Sequence, residues 1–129
     1  MPDSLDDELL TIRQMCDRYD VTPRTLRFYE TKELLAPLRH GQHRLYGRAD
    51  RGRLTLILRG KRFGFSLEEI RQWLLIYEQK GSREQYQVWL DLADRQLGVL
   101  DKQIEDLQMA RADLKALRET AARELSDMG

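Results

Sequence analysis

The sequence predicts a mainly α-helical fold: a winged helix-turn-helix domain followed by a long coiled-coil helix. Three observations predict it. Two short capped helices lie three or four residues apart, a tight turn joins two short extended runs, and the apolar residues of the C-terminal stretch recur alternately every four and three positions. With 129 residues, 34% of them charged, the chain has room for one small core and an extension, not for two large cores.

The first helix can start at Thr11, a side chain suited to cap free backbone N–H groups, with Ile12, Met15 and Cys16 on one face. It gives out near Tyr19-Asp20. The second starts at Thr22-Pro23, a cap followed by proline at the first helical position, and should run through Glu30. This spacing is that of a helix-turn-helix, although adjacent short helices occur in many folds. Pro37 ends the helical reading. Gly41-Gln42 can then form a turn between Leu38-Arg39 and Arg44-Leu45-Tyr46, a small two-stranded wing.

From Arg48 to about Arg62 the run Leu54, Leu56, Ile57, Leu58 suits either a helix or a buried strand. A helix is the expected form, although Gly52 and Gly60 each cost it about 1 kcal/mol relative to alanine. Ser66-Leu67-Glu68-Glu69 is a capping box, and Ile70, Trp73, Leu74 and Tyr77 follow at helical spacing. Lys80-Gly81-Ser82 stops that helix.

The last segment is regular. Tyr86, Leu90, Ala93, Leu97, Leu100, Ile104, Leu107, Arg111 and Leu114 alternate by four and three, with charged residues or Gln largely between them. A helix from residue 83 to about 122 would be roughly 60 Å long, too long for a small domain to cover one side of it. A hairpin folding back on its own chain lacks a turn signal after Ser82, so pairing with a second copy is expected through Leu90, Ala93, Leu97, Leu100, Ile104, Leu107 and Leu114. The expected divisions are an acidic extension (1–10), the winged domain (11–80) and the dimerisation helix with a short tail (81–129).

The net charge of zero hides a segregation. Residues 1–10 carry four acids and no bases, and residues 11–65 carry 13 bases against five acids. A basic middle between acidic ends suits a module that binds a polyanion. No apolar run approaches the roughly 18 residues needed to span a bilayer. The N-terminus lacks the order of a signal peptide, and the single cysteine cannot form an internal disulfide; a cytoplasmic setting without membrane is expected. No nucleophile–base pair, metal cluster or phosphate loop marks an enzyme.

Reading DNA needs cations for phosphates and side chains that reach base edges from a helix in the major groove. At 100° per residue, Arg24, Arg27 and Phe28 fall within one arc of the second helix, while Leu26 points the other way. Arg24 and Arg27 can act as bidentate donors, and Thr22, Thr25 and Tyr29 sit where hydroxyls meet phosphate. Taken alone, two surface arginines can equally be inert. The wing adds His43, Arg44 and Tyr46, and from residue 44 to 62 seven bases face one acid, among them Lys61 and Arg62 beside the capping-box helix start. A coiled-coil adaptor that binds protein is the alternative, and an RNA-binding module would be expected to carry stacking aromatics on a sheet.

Val21-Thr-Pro-Arg-Thr-Leu-Arg-Phe-Tyr-Glu30, Leu34-Leu35, Arg44-Leu45-Tyr46 and Gly64-Phe-Ser-Leu-Glu-Glu-Ile70 together resemble, in order and spacing, the MerR family of bacterial regulators. The resemblance covers about residues 11–78. It implies a homodimer joined by an antiparallel helix pair, bound to a pseudo-palindromic promoter site, that distorts an over-long spacer so that RNA polymerase engages both promoter elements. It also implies recognition by Arg24 and Arg27, with Tyr29 toward the backbone and Arg44 and Tyr46 holding phosphate. His43 stands where the family usually has tyrosine, and Gly47 where it usually has a serine cap. Metal-sensing members carry several cysteines near the dimerisation helix; this chain has Cys16 alone, at a core position, so no cofactor or metal is expected. The segment Leu56–Leu67 resembles regulators of leucine/isovalerate and fatty-acid degradation, implying an acyl-CoA-type small-molecule effector. Trp73, Tyr77, Tyr86 and Trp89 are candidates to line its pocket, or core residues.

Overall fold

A computed structural model describes residues 8–129. Most of the acidic extension, residues 1–7, lies outside the described residues. The chain forms two compact units, one ending at Ser82 and the other beginning at Arg83.

The first unit runs β1 (Leu10–Thr11), α1 (Ile12–Tyr19), α2 (Pro23–Thr31), β2 (Leu38–His40), β3 (His43–Tyr46), α3 (Arg48–Phe63) and α4 (Leu67–Gln79). Local chemistry sets the first two helices. Thr11 accepts from the Gln14 amide at 3.2 Å while the Gln14 side chain accepts from the Thr11 amide at 2.8 Å, a reciprocal cap. Asp20 closes α1 in the left-handed region at φ 55°. Thr22 then caps α2 by accepting from the Thr25 amide, with Pro23 in the first turn.

The wing forms as expected, with Arg39 opposite Arg44 and His40 opposite His43 in an antiparallel pair. Gly41 takes φ +63° at the turn, a conformation that suits glycine. The sheet has one strand more than expected. Leu10 pairs with Tyr46, so that β3 is the middle strand of three. Leu10 is 1% exposed and belongs to the core rather than to the extension. Two residues carry no periodicity, so this strand is specified by its partner and not by its own sequence.

α3 is a helix, as expected. It starts at Gly47, which supplies no side-chain cap, and ends at Gly64 with φ 89°. Gly60 faces α4 so closely that an added Cβ would lie 2.7 Å from Ile70 Cγ1. Close approach of α3 to α4 thus accounts for a glycine that the helix itself disfavours. The Ser66–Glu69 capping box that starts α4 is complete, with both reciprocal bonds made. Met15, Leu26, Leu34, Tyr46, Leu54, Ile57 and Ile70 are buried together from helices, loop and sheet, each contributing about 1.5–3 kcal/mol through burial. Asp50 is buried among them. Burial raises its carboxyl above the usual range, opposed by the Ala36 amide, which donates to it at 3.0 Å.

The second unit is one helix, α5 (Arg83–Asp127), of 45 residues, about 68 Å long. It runs past the expected end near residue 122. It buries no residue. Leu90, Leu97, Ile104, Leu107 and Leu114 are all exposed, and Ala93 and Leu100 half-buried.

Candidate nucleic-acid interface

Helix α2 divides along its length. Leu26 is fully buried against the core while Arg24 and Arg27 are exposed, so the 100° arc expected from the sequence is realised. Phe28 shares the exposed side at 45% exposure, with the Lys32 ammonium 5.6 Å from its ring centroid. An outward aromatic on a cationic helix face was visible in the sequence, yet it does not belong to the expected contact set. Thr22 is exposed and Thr25 half-buried, their hydroxyls 2.9 Å apart.

Beside α2, a groove of about 290 Å³ is lined by Arg24, Thr25, Phe28, Tyr29, Lys61 and Leu67. It brings Lys61, from the last turn of α3, alongside Arg24 and the start of α4. The Ser66–Glu69 box consumes the cap and third amides of α4, leaving those of Leu67 and Glu68 outside it. Arg62 is exposed but is not among the groove's lining residues.

The wing is tied to α2 by charge. Arg44 Nε donates to Glu30 Oε2 at 2.7 Å, and Arg39 Nη2 donates to Glu30 Oε1 at 2.6 Å. Burial would raise the Glu30 carboxyl, but the hydrogen bonds and charges of the two arginines outweigh it and hold the group below its ordinary range. Glu30 and Arg39 were not candidate site residues, and they fix how the wing stands on the helix. Arg44, expected on phosphate, is half-buried and spends its Nε on Glu30. His43 is exposed near the wing tip.

Two expectations are corrected. Tyr46 is fully buried, and among the described residues its hydroxyl has no hydrogen-bond partner, so it does not reach phosphate from the wing. Residues two apart on a strand share a face; Arg44 and Tyr46 both point inward from β3, and the ring fills the core. Tyr29 is 5% exposed, its hydroxyl pKa raised by burial. It floors the groove rather than reaching out of it.

Other ties brace the surface. Arg53 holds Glu78 of α4 through two bonds of 2.7 and 2.9 Å and donates to the Leu34 carbonyl at 3.1 Å. Arg71 donates to the Lys32 carbonyl. Cys16 is half-buried, and burial, followed by the charge of Asp17, raises its thiol pKa. Among the described residues no cluster of three or more His, Cys, Asp or Glu is placed to hold a metal, and no helix is long and apolar enough to cross a membrane. Leu56, Ile57 and Phe65 are buried, and the Phe63 ring lies 6.1 Å from that of Trp73. These apolar residues of the segment likened to fatty-acid regulators therefore pack the domain. Tyr77 is exposed, in edge contact with Trp73.

Comparison with known proteins agrees with this architecture. Residues 10–75 match the MerR HTH family regulatory protein description, and residues 51–117 match MerR, DNA binding. The HTH-type transcriptional regulator HmrR of Rhizobium leguminosarum bv. viciae is 34% identical over 109 residues, covering 84% of this chain and 83% of that protein. The mercuric resistance operon regulatory protein of Pseudomonas fluorescens is 32% identical over 112 residues, covering 85% of this chain and 75% of that one. Among solved structures, a MerR family transcriptional regulator from Bacillus cereus superposes with a TM-score of 0.66 at 31% identity, covering 81% of this chain and 76% of that one. HiNmlR, a MerR family regulator lacking the sensor domain and solved bound to promoter DNA, shares the fold at a TM-score of 0.60 and 24% identity, covering 78% of this chain and 76% of that one. With helix-turn-helix, wing and basic groove in place and both family descriptions matched, the chain belongs to the MerR family of DNA-binding transcriptional regulators.

Proposed function

We propose that two copies of this chain, joined through α5, bind a pseudo-palindromic promoter site in double-stranded DNA. Arg24 and Arg27 read base edges in the major groove. Lys61, Arg62, Thr22, Thr25, His43 and Arg44 meet phosphates around them. The observation that carries this reading is the pair of exposed arginines on α2, flanked by Lys61 in one groove and by a wing clamped through Glu30. Such an arrangement separates base reading from phosphate positioning, the division of labour that specific recognition requires. The bound dimer distorts the spacer between promoter elements and so controls how RNA polymerase engages them. An acyl-CoA-type metabolite is the effector class implied by the likeness of residues 56–67, and adding such a metabolite should change the induced bend.

The test is a binding titration against the promoter of the protein's own gene and its neighbours. Arg24→Ala or Arg27→Ala should lose about 1–3 kcal/mol of discrimination between that site and random duplex. Lys61→Ala should weaken both alike and lower the salt slope by about one. Full discrimination retained by both arginine variants would overturn the recognition assignment.

A further inference from the structure

We infer that Phe28 reads thymine: its ring meets the C5-methyl group of a thymine in the major groove, close to the base that Arg24 contacts. This rests on the DNA reading proposed above and adds to it a base feature outside hydrogen bonding. Of the three phenylalanines, Phe65 is buried and Phe63 half-buried, while Phe28 is 45% exposed. A lone exposed apolar side chain is ordinary; its place makes this one informative. Phe28 lies one turn beyond Arg24 on α2, about 40° round the helix from it, on the arc that also carries Arg27.

The partner follows from what a phenyl ring can match. It has no N–H or O–H to donate and no lone pair to offer. In the major groove a base pair shows donors, acceptors and one apolar group, the thymine methyl. Set on a phosphate, the ring would strip water from an anion and return no hydrogen bond to it. Set on a donor or acceptor of a base edge, it would do the same. Against the methyl, both surfaces leave water together and neither loses a hydrogen bond.

The ring stands ready for that contact. The Lys32 ammonium lies 5.6 Å from its centroid, and the Tyr29 ring lies 6.1 Å away at 47°. The adjoining groove of about 290 Å³ is lined by Arg24, Thr25, Phe28, Tyr29, Lys61 and Leu67, so it joins two cations to apolar walls and holds no acid. Arg24 and Lys61 supply the hydrogen bonds there, while Phe28 and half-buried Leu67 supply surface that cannot make any. Side chains four apart on a helix stand about 5–6 Å apart at Cβ, and bases follow one another every 3.4 Å or so along a strand. The methyl therefore belongs within about two base pairs of the base that Arg24 reads.

The test replaces each thymine of the promoter duplex in turn by deoxyuridine, which removes a methyl and no hydrogen-bonding group. At one thymine of each half-site the full chain should lose about fourfold in affinity, roughly the worth of one buried methyl. Replacing both should cost about fifteenfold. Phe28→Ala should bind the unmodified duplex more weakly and be indifferent to the same replacements, whereas Phe28→Leu should keep part of the sensitivity. The scan on the parent chain needs no variant, so a folding defect in either substitution leaves the test standing. A scan in which no thymine matters, or a loss just as large in Phe28→Ala, would overturn the inference while leaving the arginine assignment intact. A parent chain that fails to tell the promoter site from random duplex would instead overturn the DNA reading itself.

Discussion

Glu30 and Arg44 are joined by a 2.7 Å bond from Nε to Oε2, linking the last turn of α2 to β3, the middle strand of the sheet. With Arg39 on the other carboxylate oxygen, one side chain holds both wing strands facing it. The helix that carries Arg24 and Arg27 and the strands that carry His43 and Arg44 are thereby set in a fixed relation.

Glu30→Gln should loosen that relation while leaving the fold intact. The partly exposed network is worth about 1 kcal/mol to stability, so the melting temperature should fall by a few degrees at most. Operator affinity should fall more than random-duplex affinity, because the wing contacts lose their fixed position. Equal loss on both duplexes would mean that the clamp serves stability alone.

Tyr46→Phe separates a core role from a phosphate contact. Removing a buried hydroxyl that lacks a partner should leave stability unchanged or raise it by about 1 kcal/mol. DNA affinity and its salt slope should stay as in the parent. Affinity lost alike on operator and random duplex would restore the hydroxyl to the phosphate contacts.

The two glycines of α3 should respond in opposite directions. Gly60→Ala sets a methyl 2.7 Å from Ile70 Cγ1, and such overpacking costs about 1–3 kcal/mol, more than the helix gains from alanine. Among the described residues nothing lies within 4 Å of a Cβ added at Gly52, so Gly52→Ala should stabilise by up to about 1 kcal/mol. Denaturant midpoints read both, and Ile70→Val should soften the Gly60→Ala loss.

Acid should weaken the first unit through two carboxylates. Arg53 holds the Glu78 carboxyl below its ordinary range, as Arg39 and Arg44 hold Glu30. A carboxylate whose pKa is depressed on folding adds stability that is full above its unfolded value, 4.5, and is lost as pH falls below that toward the folded value. Asp50 works the other way. Its raised pKa adds stability that is full below 3.8 and lost as pH rises through the folded value. The melting temperature should therefore drop as pH is lowered from about 5 to 3, and Glu30→Gln with Glu78→Gln should flatten that drop.

What the sequence revealed was mostly local. Thr11, Thr22 and Ser66 announce helix starts because each cap bond closes within three residues. The outward turn of Arg24 and Arg27 follows from the helical period and the inward turn of Leu26. Leu10 and Glu30 were hidden for the opposite reason: their partners, Tyr46 and Arg44, lie 36 and 14 positions away, and no short-range pattern announces such a meeting. Tyr46 was misread because a tyrosine in a basic stretch can turn its hydroxyl to a ligand or bury its ring. Strand parity with Arg44 was the available clue, and it becomes useful once the side holding Glu30 is known.

The shortness of the sheet's two outer strands, β1 and β2, bears on what its edges can pair with. β1 offers two residues and β2 three, the latter including Arg39 and His40. So few unpaired amides, beside the Arg39 guanidinium, give another chain little to zip onto. The edges of the small β-sheet are therefore poor templates for strand addition by another molecule.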